Sequence, residues 1–438
     1  MTDSASPNRK IHVPILTRVE GEGALNIVLG RESIERVELN IYEPPRFFEA
    51  FLQGRNHNEV ADITARICGI CPIAYQMTAI QAIESAWGIC IPEPIYRLRR
   101  LMYFAEWIES HGLHIHLLHA PDFFGCASGL ELAKKDPVSV QRGLKLKKIG
   151  NQVLELLGGR AIHPISLAVG GFFRLPRREE LLQLVPHFEW GLQASIDMVR
   201  WIGGFEFPEF DSPTVYVALQ NPKEYAIMNG AIASSDGATV DVGKYEQCFY
   251  EEHVEHSTAL HAHRVGNPLP YQVGPMARVH LSYDQLSSTV RSLAEEIGWQ
   301  LPSFNPYHSI IARGLELVQA FEEGLSILKS FDSKVEARVA YETAEASGCA
   351  ATEAPRGLIY HRYDLDQSGH VCRAKIVPPT SQNQRQIERD LVQILPSMLA
   401  ETDESIARRC ETLIRNYDPC ISCATHFLKV RRTKGVES

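Results

Sequence analysis

Two pairs of cysteines, one near each end of the chain, have the spacing of metal ligands. Cys68 and Cys71 lie in RICGICP, and Cys420 and Cys423 lie in DPCISCATH. Four thiolates brought together select soft metals such as zinc, copper(I) or the iron of iron–sulfur clusters, and they could hold nickel. The other six of the ten cysteines are scattered singly, which is typical of small buried hydrophobic residues. The two pairs therefore predict one metal site built from both ends of the chain.

Two simpler explanations compete with a redox-active metal. A zinc ion held by all four cysteines would be structural, but the pairs of a zinc ribbon usually lie within about 15–20 residues of each other. Here Cys71 and Cys420 are separated by most of the chain. A C-x-x-C redox pair needs a βαβ setting, and neither pair has one. The residues alone leave both alternatives open.

The elements around the two pairs differ. The first pair opens a predicted helix, because Pro72 suits a first helical turn, and a helix N-terminus stabilises a thiolate. The second pair follows a predicted helix, and Pro419 stops the helical pattern there. Asp418 precedes this pair by two residues and His426 follows it by three. Such polar neighbours can tune metal ligands from outside the coordination sphere.

The pattern of apolar residues predicts a mainly α-helical body with small β elements, an α+β fold class. Alternation over 11–17 and 24–41 predicts short strands of a small N-terminal sheet. The stretch around Gly369 predicts a β-hairpin over 357–377. We find no repeat or clear linker, so we expect a single domain over 1–438. Helical spacing predicts helices from residue 72 onward, over most of 96–120, and at 138–157, 178–203, 283–297, 305–331 and 384–416.

The composition bounds the class of protein. Hydrophobic residues are 45% and charged residues 22% of the 438 residues, as in ordinary globular proteins. The net charge of −9 gives no reason to expect a nucleic acid partner. The N-terminus shows no apolar signal region, and no stretch is long and apolar enough for a transmembrane helix. We therefore expect a cytoplasmic location.

Seven blocks, taken in chain order, resemble one family: the large, catalytic subunit of the nickel–iron hydrogenases. The two cysteine motifs, RICGICPIAYQ and DPCISCATH, resemble the two signature motifs of that family. The other five blocks span the rest of the chain and are TRVEGEG at 17–23, RFFEAFLQGR at 46–55, HGLHIHLLHAPDFF at 111–124, GGRAIHPISLAVGGF at 158–172 and EAPRGLIYH at 353–361. The resemblance implies the hydrogenase large-subunit fold and reversible heterolytic cleavage of H2.

The resemblance also implies how the four cysteines bind metal. By motif position, Cys68 and Cys420 correspond to terminal nickel ligands. Cys71 and Cys423 correspond to ligands that bridge nickel and iron. The iron of this family carries carbon monoxide and two cyanides, which the protein does not supply.

Four polar residues would then act beside the metals. Glu20, in RVEG, corresponds to the first proton relay. Arg356, in EAPRG, corresponds to an arginine over the open metal position, Asp122 to a carboxylate that pairs with this arginine, and Asp418 to another acid near the same face. Without the resemblance, each would be interpreted as a solvated surface group, Arg356 in an ion pair with Glu353.

A second, hard metal and a processing step follow from the same resemblance. Glu49 and His426 correspond to ligands of magnesium near the C-terminus, with a backbone carbonyl near Lys375 completing the site; carboxylate oxygen suits magnesium, and imidazole is less usual. Residues 427–438 correspond to a maturation peptide that a protease removes after nickel insertion. The alternative is an uncut basic tail on the surface.

At one position the sequence departs from the usual family motif, and this departure indicates which branch of the family the chain resembles and which partner subunits to expect. Tyr75 stands where the family usually has histidine, and this form resembles the cytosolic, NAD(P)-linked branch that includes the sulfhydrogenases. The chain has no G-x-G-x-x-G fingerprint and no cysteine-rich ferredoxin-like run. The resemblance therefore implies a small iron–sulfur subunit, flavin and iron–sulfur diaphorase subunits, nickel-insertion factors and the maturation protease.

Other members of the wider family leave alternatives. Sulfur, polysulfide or a deazaflavin could replace NAD(P) as acceptor. A non-catalytic relative in respiratory complex I lacks the four cysteines, all of which this chain keeps.

Overall fold

The structure is a computed structural model that describes residues 9–30, 33–332 and 334–425. Within these ranges the helices are α1 Phe48–Leu52, α2 His57–Ala65, α3 Pro72–Trp87, α4 Glu93–Leu113, α5 Ala120–Phe123, α6 Gly129–Lys135, α7 Pro137–Gly158, α8 Arg178–Leu182, α9 Val185–Gly203, α10 Tyr245–Cys248, α11 Pro275–Leu281, α12 Ser288–Glu296, α13 Ser309–Ser330, α14 Pro379–Ile394 and α15 Asp403–Asn416. The strands are β1 Arg9–Val13, β2 Gly23–Leu29, β3 Ile34–Ile41, β4 Leu167–Ala168, β5 Gly171–Phe172, β6 Val215–Gln220, β7 Ala231–Ser234, β8 Thr239–Val240, β9 Phe249–Glu252, β10 His261–Arg264, β11 Tyr271–Gln272, β12 Ala346–Ala354, β13 Gly357–Leu365 and β14 Val371–Val377.

The strands form small separate sheets around a helical body. β1, β2 and β3 make an antiparallel N-terminal sheet, and β12, β13 and β14 make a second antiparallel sheet. A four-stranded sheet has the order β11-β6-β7-β8, and β4-β5 and β9-β10 are two-stranded. Each small sheet covers part of the helical body, so the architecture is α+β with helices dominant.

Helix α3 lies at the centre of the main core. It begins at Pro72 and ends before Gly88, whose φ of 64° closes the last turn in the left-handed region. Nearly all of its side chains are buried, including Gln76 and Glu84, which hydrogen-bond with the Pro164 carbonyl and Arg99. Strand β12 crosses it closely, because a Cβ at Gly348 would come within 2.2 Å of the Ala82 carbonyl oxygen. This contact fixes the sheet that carries Arg356 against the helix that carries the first cysteine pair.

Two hydrophobic cores meet at the second cysteine pair. The main core contains α3, α4, α7, α9 and α13, and Cys420 and Cys423 contact it. The other core lies between the N-terminal sheet, α14 and α15, and it contains Ile421 and Ala424. The segment after α15, residues 417–425, therefore lies at the interface between the two cores.

The helical body, the N-terminal sheet and the hairpin are confirmed, with three differences. The helix predicted over 96–120 becomes π-helical at His114–His119, where Pro121, which has no N–H to donate, follows within two residues. The helices predicted over 178–203 and 384–416 are each two helices. The first divides at 183–184, between α8 and α9, and the second divides at Pro396, before Thr402 caps α15.

The third difference is that the hairpin predicted over 357–377 has a third strand, β12, paired with β13. Its turn is as predicted, with Gly369 at a φ of 75°. A single domain over 1–438 stays a prediction, and the segment 427–438 lies outside the described residues. In the described ranges we find no helix with the length and apolar character needed to cross a membrane.

Candidate metal centre

The structure brings the four predicted cysteines together. The sulfur atoms of Cys68, Cys71, Cys420 and Cys423, hereafter the cysteine quartet, all lie within 4.8 Å of one another. All four residues are buried, and the Sγ atoms of Cys68 and Cys420 are 3.5 Å apart. Cys420 and Cys423 are joined as a disulfide here, with Cα atoms 5.4 Å apart. Metal binding requires them as thiolates.

The first cysteine loop, residues 66–71, leads directly into α3. The backbone N–H groups of Ile70 and Cys71 donate to Cys68 Sγ at 3.3 and 3.2 Å. Burial opposes ionisation of Cys68, but the hydrogen bond from the Cys71 thiol and the charge of Arg356 lower its pKa. The same hydrogen bond, with burial, raises the pKa of Cys71. Cys68 is thus the sulfur of this loop that the protein prepares as an anion.

A carboxylate on α4 holds the first loop in place. Glu106 accepts hydrogen bonds from the backbone N–H groups of Ile73 at 2.6 Å and Ala74 at 3.1 Å. These are among the N–H groups of the first turn of α3 that have no partner within the helix. Burial raises the pKa of Glu106 well above its usual range. Sequence reasoning missed this residue, because nothing in EWIE distinguishes it from a surface glutamate.

The second cysteine loop, residues 417–425, is held by distant segments. The backbone N–H of Cys420 donates to the Thr380 hydroxyl at 3.0 Å, at the start of α14. Glu20 reaches this loop: its backbone carbonyl accepts from Ile421 N–H at 3.0 Å, and its Oε2 accepts from Ser422 N–H at 3.2 Å. The same Oε2 is 3.1 Å from Cys420 Sγ. Glu20 is thus the carboxylate in contact with a sulfur of the quartet.

Arg356 and Asp418 form a buried pair beside the quartet. Arg356 occupies the two-residue turn between β12 and β13. It donates through Nε to the Asp418 carbonyl at 2.7 Å and through Nη2 to Asp418 Oδ1 at 3.1 Å. Burial would lower the pKa of Arg356, but Asp418 and the thiols of the quartet raise it. One guanidinium nitrogen and Asp418 Oδ2 are buried without a hydrogen-bond partner among the described residues. These two atoms are available to a further polar group.

The predicted pairing of Asp122 with Arg356 is wrong. Asp122 forms a bidentate ion pair with Arg415, at 2.8 Å for both contacts, and a further ion pair with Arg18. The predicted alternative for Arg356, an ion pair with Glu353, is also wrong. The physical reason is the position of each residue. Asp122 follows the π-helical segment and meets Arg415 at the end of α15. Arg356 lies on the turn between β12 and β13, where the carboxylate it meets is that of Asp418.

The true partner of Glu353 is Arg278, at 3.1 Å. The ion pairs of Asp122 instead tie the TRVEG segment to the end of α15. Both of these segments lead into contacts with the second cysteine loop.

Arg46 links the two cysteine loops, and sequence reasoning missed it as well. Its guanidinium donates to the Ile67 carbonyl at 2.7 Å and to the Ser422 carbonyl, and its backbone N–H donates to the Thr425 carbonyl at 2.7 Å. Its position at the head of the RFFEAFLQGR block was the available signal. Its function in joining the loops depends on contacts that no spacing reveals.

The predicted hard-metal residues are only partly described. The Glu49 carboxylate accepts from the backbone N–H of Ile376 at 2.8 Å, next to Lys375, and burial raises its pKa. His426 lies outside the described residues. Tyr75, at the departure from the family pattern, is fully buried, and its hydroxyl has no hydrogen-bond partner among the described residues.

The donor set fits a soft metal centre. Four buried sulfurs converge from two loops, and soft thiolate ligands select soft or borderline metals. The orphaned polar atoms of Arg356 and Asp418 lie in the same region. Buried atoms of this kind are expected to have a partner, so they fit a centre that brings hydrogen-bonding groups of its own.

Comparisons with known proteins agree on one family. Residues 46–142 and 245–426 match the sequence profile of the nickel-dependent hydrogenases. The chain is 32% identical over 430 residues to the sulfhydrogenase 1 alpha subunit of Pyrococcus furiosus, which covers 96% of this chain and 100% of that subunit. It is 25% identical over 476 residues to the beta subunit of the NAD-reducing hydrogenase HoxS of Cupriavidus necator. That alignment covers 96% of this chain and 95% of the HoxS subunit.

A solved structure shares the fold. A chain of the NAD+-reducing NiFe hydrogenase in its H2-reduced state matches with a TM-score of 0.87 at 24% identity, covering 96% of this chain and 100% of that one.

Proposed function

Because this chain belongs to the nickel-dependent hydrogenase family, we propose that its cysteine quartet holds a nickel–iron centre. It is the catalytic subunit of a hydrogenase, an oxidoreductase that acts on H2. Cys68 and Cys420 would hold nickel, and Cys71 and Cys423 would hold nickel together with an iron whose other ligands would be carbon monoxide and cyanide. The observation that carries this proposal is the convergence of four buried sulfurs within 4.8 Å.

When bound, the centre supplies the site at which H2 is split into protons and electrons. Glu20 is the first proton acceptor, since its Oε2 is 3.1 Å from Cys420 Sγ. A carboxylate within hydrogen-bond reach can take the proton of a reduced thiol. The Ser422 N–H, at 3.2 Å from the same oxygen, orients the carboxylate for that transfer.

Arg356 and Asp418 shape the side of the centre that faces them. The guanidinium stays charged because Asp418 and the neighbouring thiols offset its burial. Its unpartnered nitrogen is free to donate to a ligand or substrate at the metals, where a charge-assisted hydrogen bond is stronger than a neutral one. Asp418 holds the guanidinium through two contacts. Asp122 has no part in this pair, and its role is to anchor.

Electrons leave through another chain. Among the described residues the quartet is the only cluster of cysteines that could hold a metal, which supports a partner iron–sulfur subunit. The relatives named as NAD-reducing and as sulfhydrogenase subunits support flavin and iron–sulfur subunits that reach NAD(P). Sulfur, polysulfide or a deazaflavin are the alternative acceptors. Assaying H2-dependent reduction of each acceptor by the purified complex separates them.

The hard-metal site and the C-terminal processing belong to the same proposal. Glu49 lies against the backbone of Ile376, which supports a magnesium site that Glu49, a nearby carbonyl and His426 would share. Removal of 427–438 after nickel insertion would leave His426 as the last residue. Intact mass of the nickel-loaded protein tests this, since active enzyme that keeps all twelve residues would rule cleavage out.

The direct test compares two buried cysteines. We expect Cys420→Ser to abolish H2-dependent dye reduction and to lower nickel content, because serine oxygen is a poor ligand for a soft metal. Cys410→Ala is the matched control, since Cys410 is equally buried and lies outside the quartet. Wild-type protein made with its maturation factors should contain nickel and iron and show infrared bands of bound carbon monoxide and cyanide. Zinc without nickel, or full activity in Cys420→Ser, would refute the proposal.

A further inference from the structure

A second group of metal-type ligands lies apart from the cysteine quartet. One ligand atom from each of His256, His261 and Glu388 lies within 4.8 Å of the other two. The three residues come from different elements: His256 from the loop after β9, His261 from the first position of β10, and Glu388 from α14. The imidazole rings of the two histidines are 5.4 Å apart and nearly perpendicular. We call these three residues the histidine–glutamate trio.

The backbone around the trio is held by contacts that need no metal. Glu388 Oε1 accepts from the Leu39 N–H of β3 at 2.9 Å. The loop that carries His256 is fixed to the same strand, because Thr258 donates through its N–H and its hydroxyl to the Ile41 carbonyl at 2.8 and 2.9 Å. Ligands fixed by other contacts lose less conformational freedom on binding, which favours affinity.

One nitrogen of the trio lacks a partner. His256 Nε2 is 2.8 Å from Glu388 Oε1, so these two side chains already contact each other. His261 is only 3% exposed, and its Nε2 has no hydrogen-bond partner among the described residues. A buried polar atom without a partner costs stability. A plain ion pair between His256 and Glu388 leaves this atom unexplained, whereas a shared metal ion would give it a ligand bond.

The charges around the trio allow a cation. The nearby cation Arg385 donates to the Pro268 carbonyl at 2.8 Å, and His263 faces Glu252 at 3.2 Å. Within the trio, Glu388 supplies the carboxylate, 2.8 Å from His256 Nε2.

We propose that His256, His261 and Glu388 bind a divalent transition ion of the zinc class. Two imidazoles and a carboxylate are a ligand set that zinc uses in sites with a fourth, open position. Imidazole disfavours magnesium and calcium, which prefer oxygen ligands. The side chains of His256 and Glu388 are 22% and 18% exposed, so water reaches the fourth position. The ion would join β10 and its preceding loop to α14, the helix whose first turn carries Thr380 against the second cysteine loop.

The test uses the nickel-loaded complex, in which the quartet is already occupied. The protein is dialysed against zinc, zinc per chain is counted, and the zinc environment is measured by X-ray absorption. We expect one added zinc with only nitrogen and oxygen neighbours at about 2.0–2.2 Å, and no sulfur at about 2.3 Å. His261→Ala should raise the Kd for zinc at least tenfold.

The matched control is His263→Ala, two residues along the same strand and outside the trio. It should bind zinc like the wild type. Should His261→Ala fail to fold, Glu388→Gln decides, because the amide oxygen can still accept from Leu39 while the charge is lost; it should also weaken binding at least tenfold. Sulfur neighbours around the added zinc, or equal zinc affinity in the wild type and the folded trio variants, would overturn the proposal.

Discussion

The two cysteine loops are each held by a carboxylate from a distant segment, but the two carboxylates do different things. Among the described residues, Glu106 accepts hydrogen bonds only from backbone N–H groups in the first turn of α3. Glu20 contacts a backbone N–H and also lies 3.1 Å from Cys420 Sγ. The sulfur of Cys68, by contrast, accepts two backbone hydrogen bonds from its own loop. One loop therefore stabilises negative charge on sulfur, and the other places a carboxylate beside it.

The loops also differ in how they are built. The first depends mainly on its own neighbourhood: Pro72 starts the helix at once, and the loop N–H groups turn onto Cys68. Arg46 contacts both loops, and the second depends in addition on long-range contacts from Glu20 and Thr380. We infer that the first loop is the fixed half of the site and that the second is positioned by the rest of the fold. The following predictions separate these two roles.

The largest effect is expected for Glu20→Gln. Glutamine keeps an oxygen for the Ser422 N–H but cannot carry the proton, and loss of a positioned acid–base group typically costs about 10²–10⁴-fold in rate. H2-dependent dye reduction should fall by that factor, while nickel and iron content stay at the wild-type level.

The control at the other loop is Glu106→Gln. Its amide oxygen can still accept from Ile73 and Ala74, so we expect a smaller loss of rate than in Glu20→Gln. Equal losses in the two variants would show that both carboxylates only hold the loops, and the comparison would then fail.

The next largest effect is a loss of stability in Asp122→Asn, which tests whether Asp122 holds the fold and does not act at the metals. Asp122→Asn leaves the buried Arg415 without its bidentate partner, and breaking a buried pair in this way costs about 3–5 kcal/mol. We expect the free energy of unfolding in urea to fall by that order. The exposed pair Arg200–Glu296 is the control, because Glu296→Gln should leave the free energy of unfolding close to the wild-type value. Wild-type stability with a loss of activity as large as in Glu20→Gln would return Asp122 to the reacting side.

A smaller effect is expected where the two loops are tied together. Arg46→Lys keeps the charge but cannot bridge the Ile67 and Ser422 carbonyls with one planar group. Loss of a hydrogen bond from a charged group costs about 1.5–3 kcal/mol. We expect the weaker connection between the loops to lower the nickel content and to reduce activity roughly tenfold. Arg66→Lys is the matched control, since Arg66 lies at the first loop but is exposed and pairs with Asp62. The proposed role of Arg46 in joining the two loops would be refuted if both variants kept wild-type nickel content.

Local pattern predicted those parts of the fold that local chemistry determines. The helices, the N-terminal sheet and the turn at Gly369 follow from periodicity and turn residues. Strand β12 was missed because ASGCAATEA is poor in the β-branched and aromatic residues typical of strands. Its small residues are explained by α3, which passes so close to Gly348 that a side chain would collide. That reason exists only in the folded protein.

The site shows the same division. The cysteines and Glu20 could be predicted because their motifs are distinctive. Glu106 and Arg46 could not, since each acts through backbone groups of a loop distant in sequence. The error with Asp122 has the same cause, as charge and family position suggested an arginine partner but did not say which arginine. Which of several cations a buried carboxylate meets depends on the packing of α15 and the π-helical segment.

The smallest effect is the pH dependence of that same ion pair. Burial alone would raise the pKa of Asp122, but the hydrogen-bonded Arg415 and the charge of Arg18 outweigh it and lower the pKa below 3.8. A carboxylate with a lowered pKa adds stability above its unfolded pKa and loses it as the pH falls through its folded pKa. The difference in unfolding free energy between wild type and Asp122→Asn should therefore be constant between about pH 5 and 7.

As the pH falls below 3.8, the ordinary pKa of an aspartate, the difference in unfolding free energy between the two proteins should shrink. One group can change it by at most about 1.4 kcal/mol per pH unit. Urea unfolding of both proteins across this range measures it. A difference that instead grew on acidification would mean that Asp122 is protonated more readily in the folded chain than in the unfolded one. Its carboxylate would then be dominated by burial, as that of Glu106 is, rather than by its two arginines.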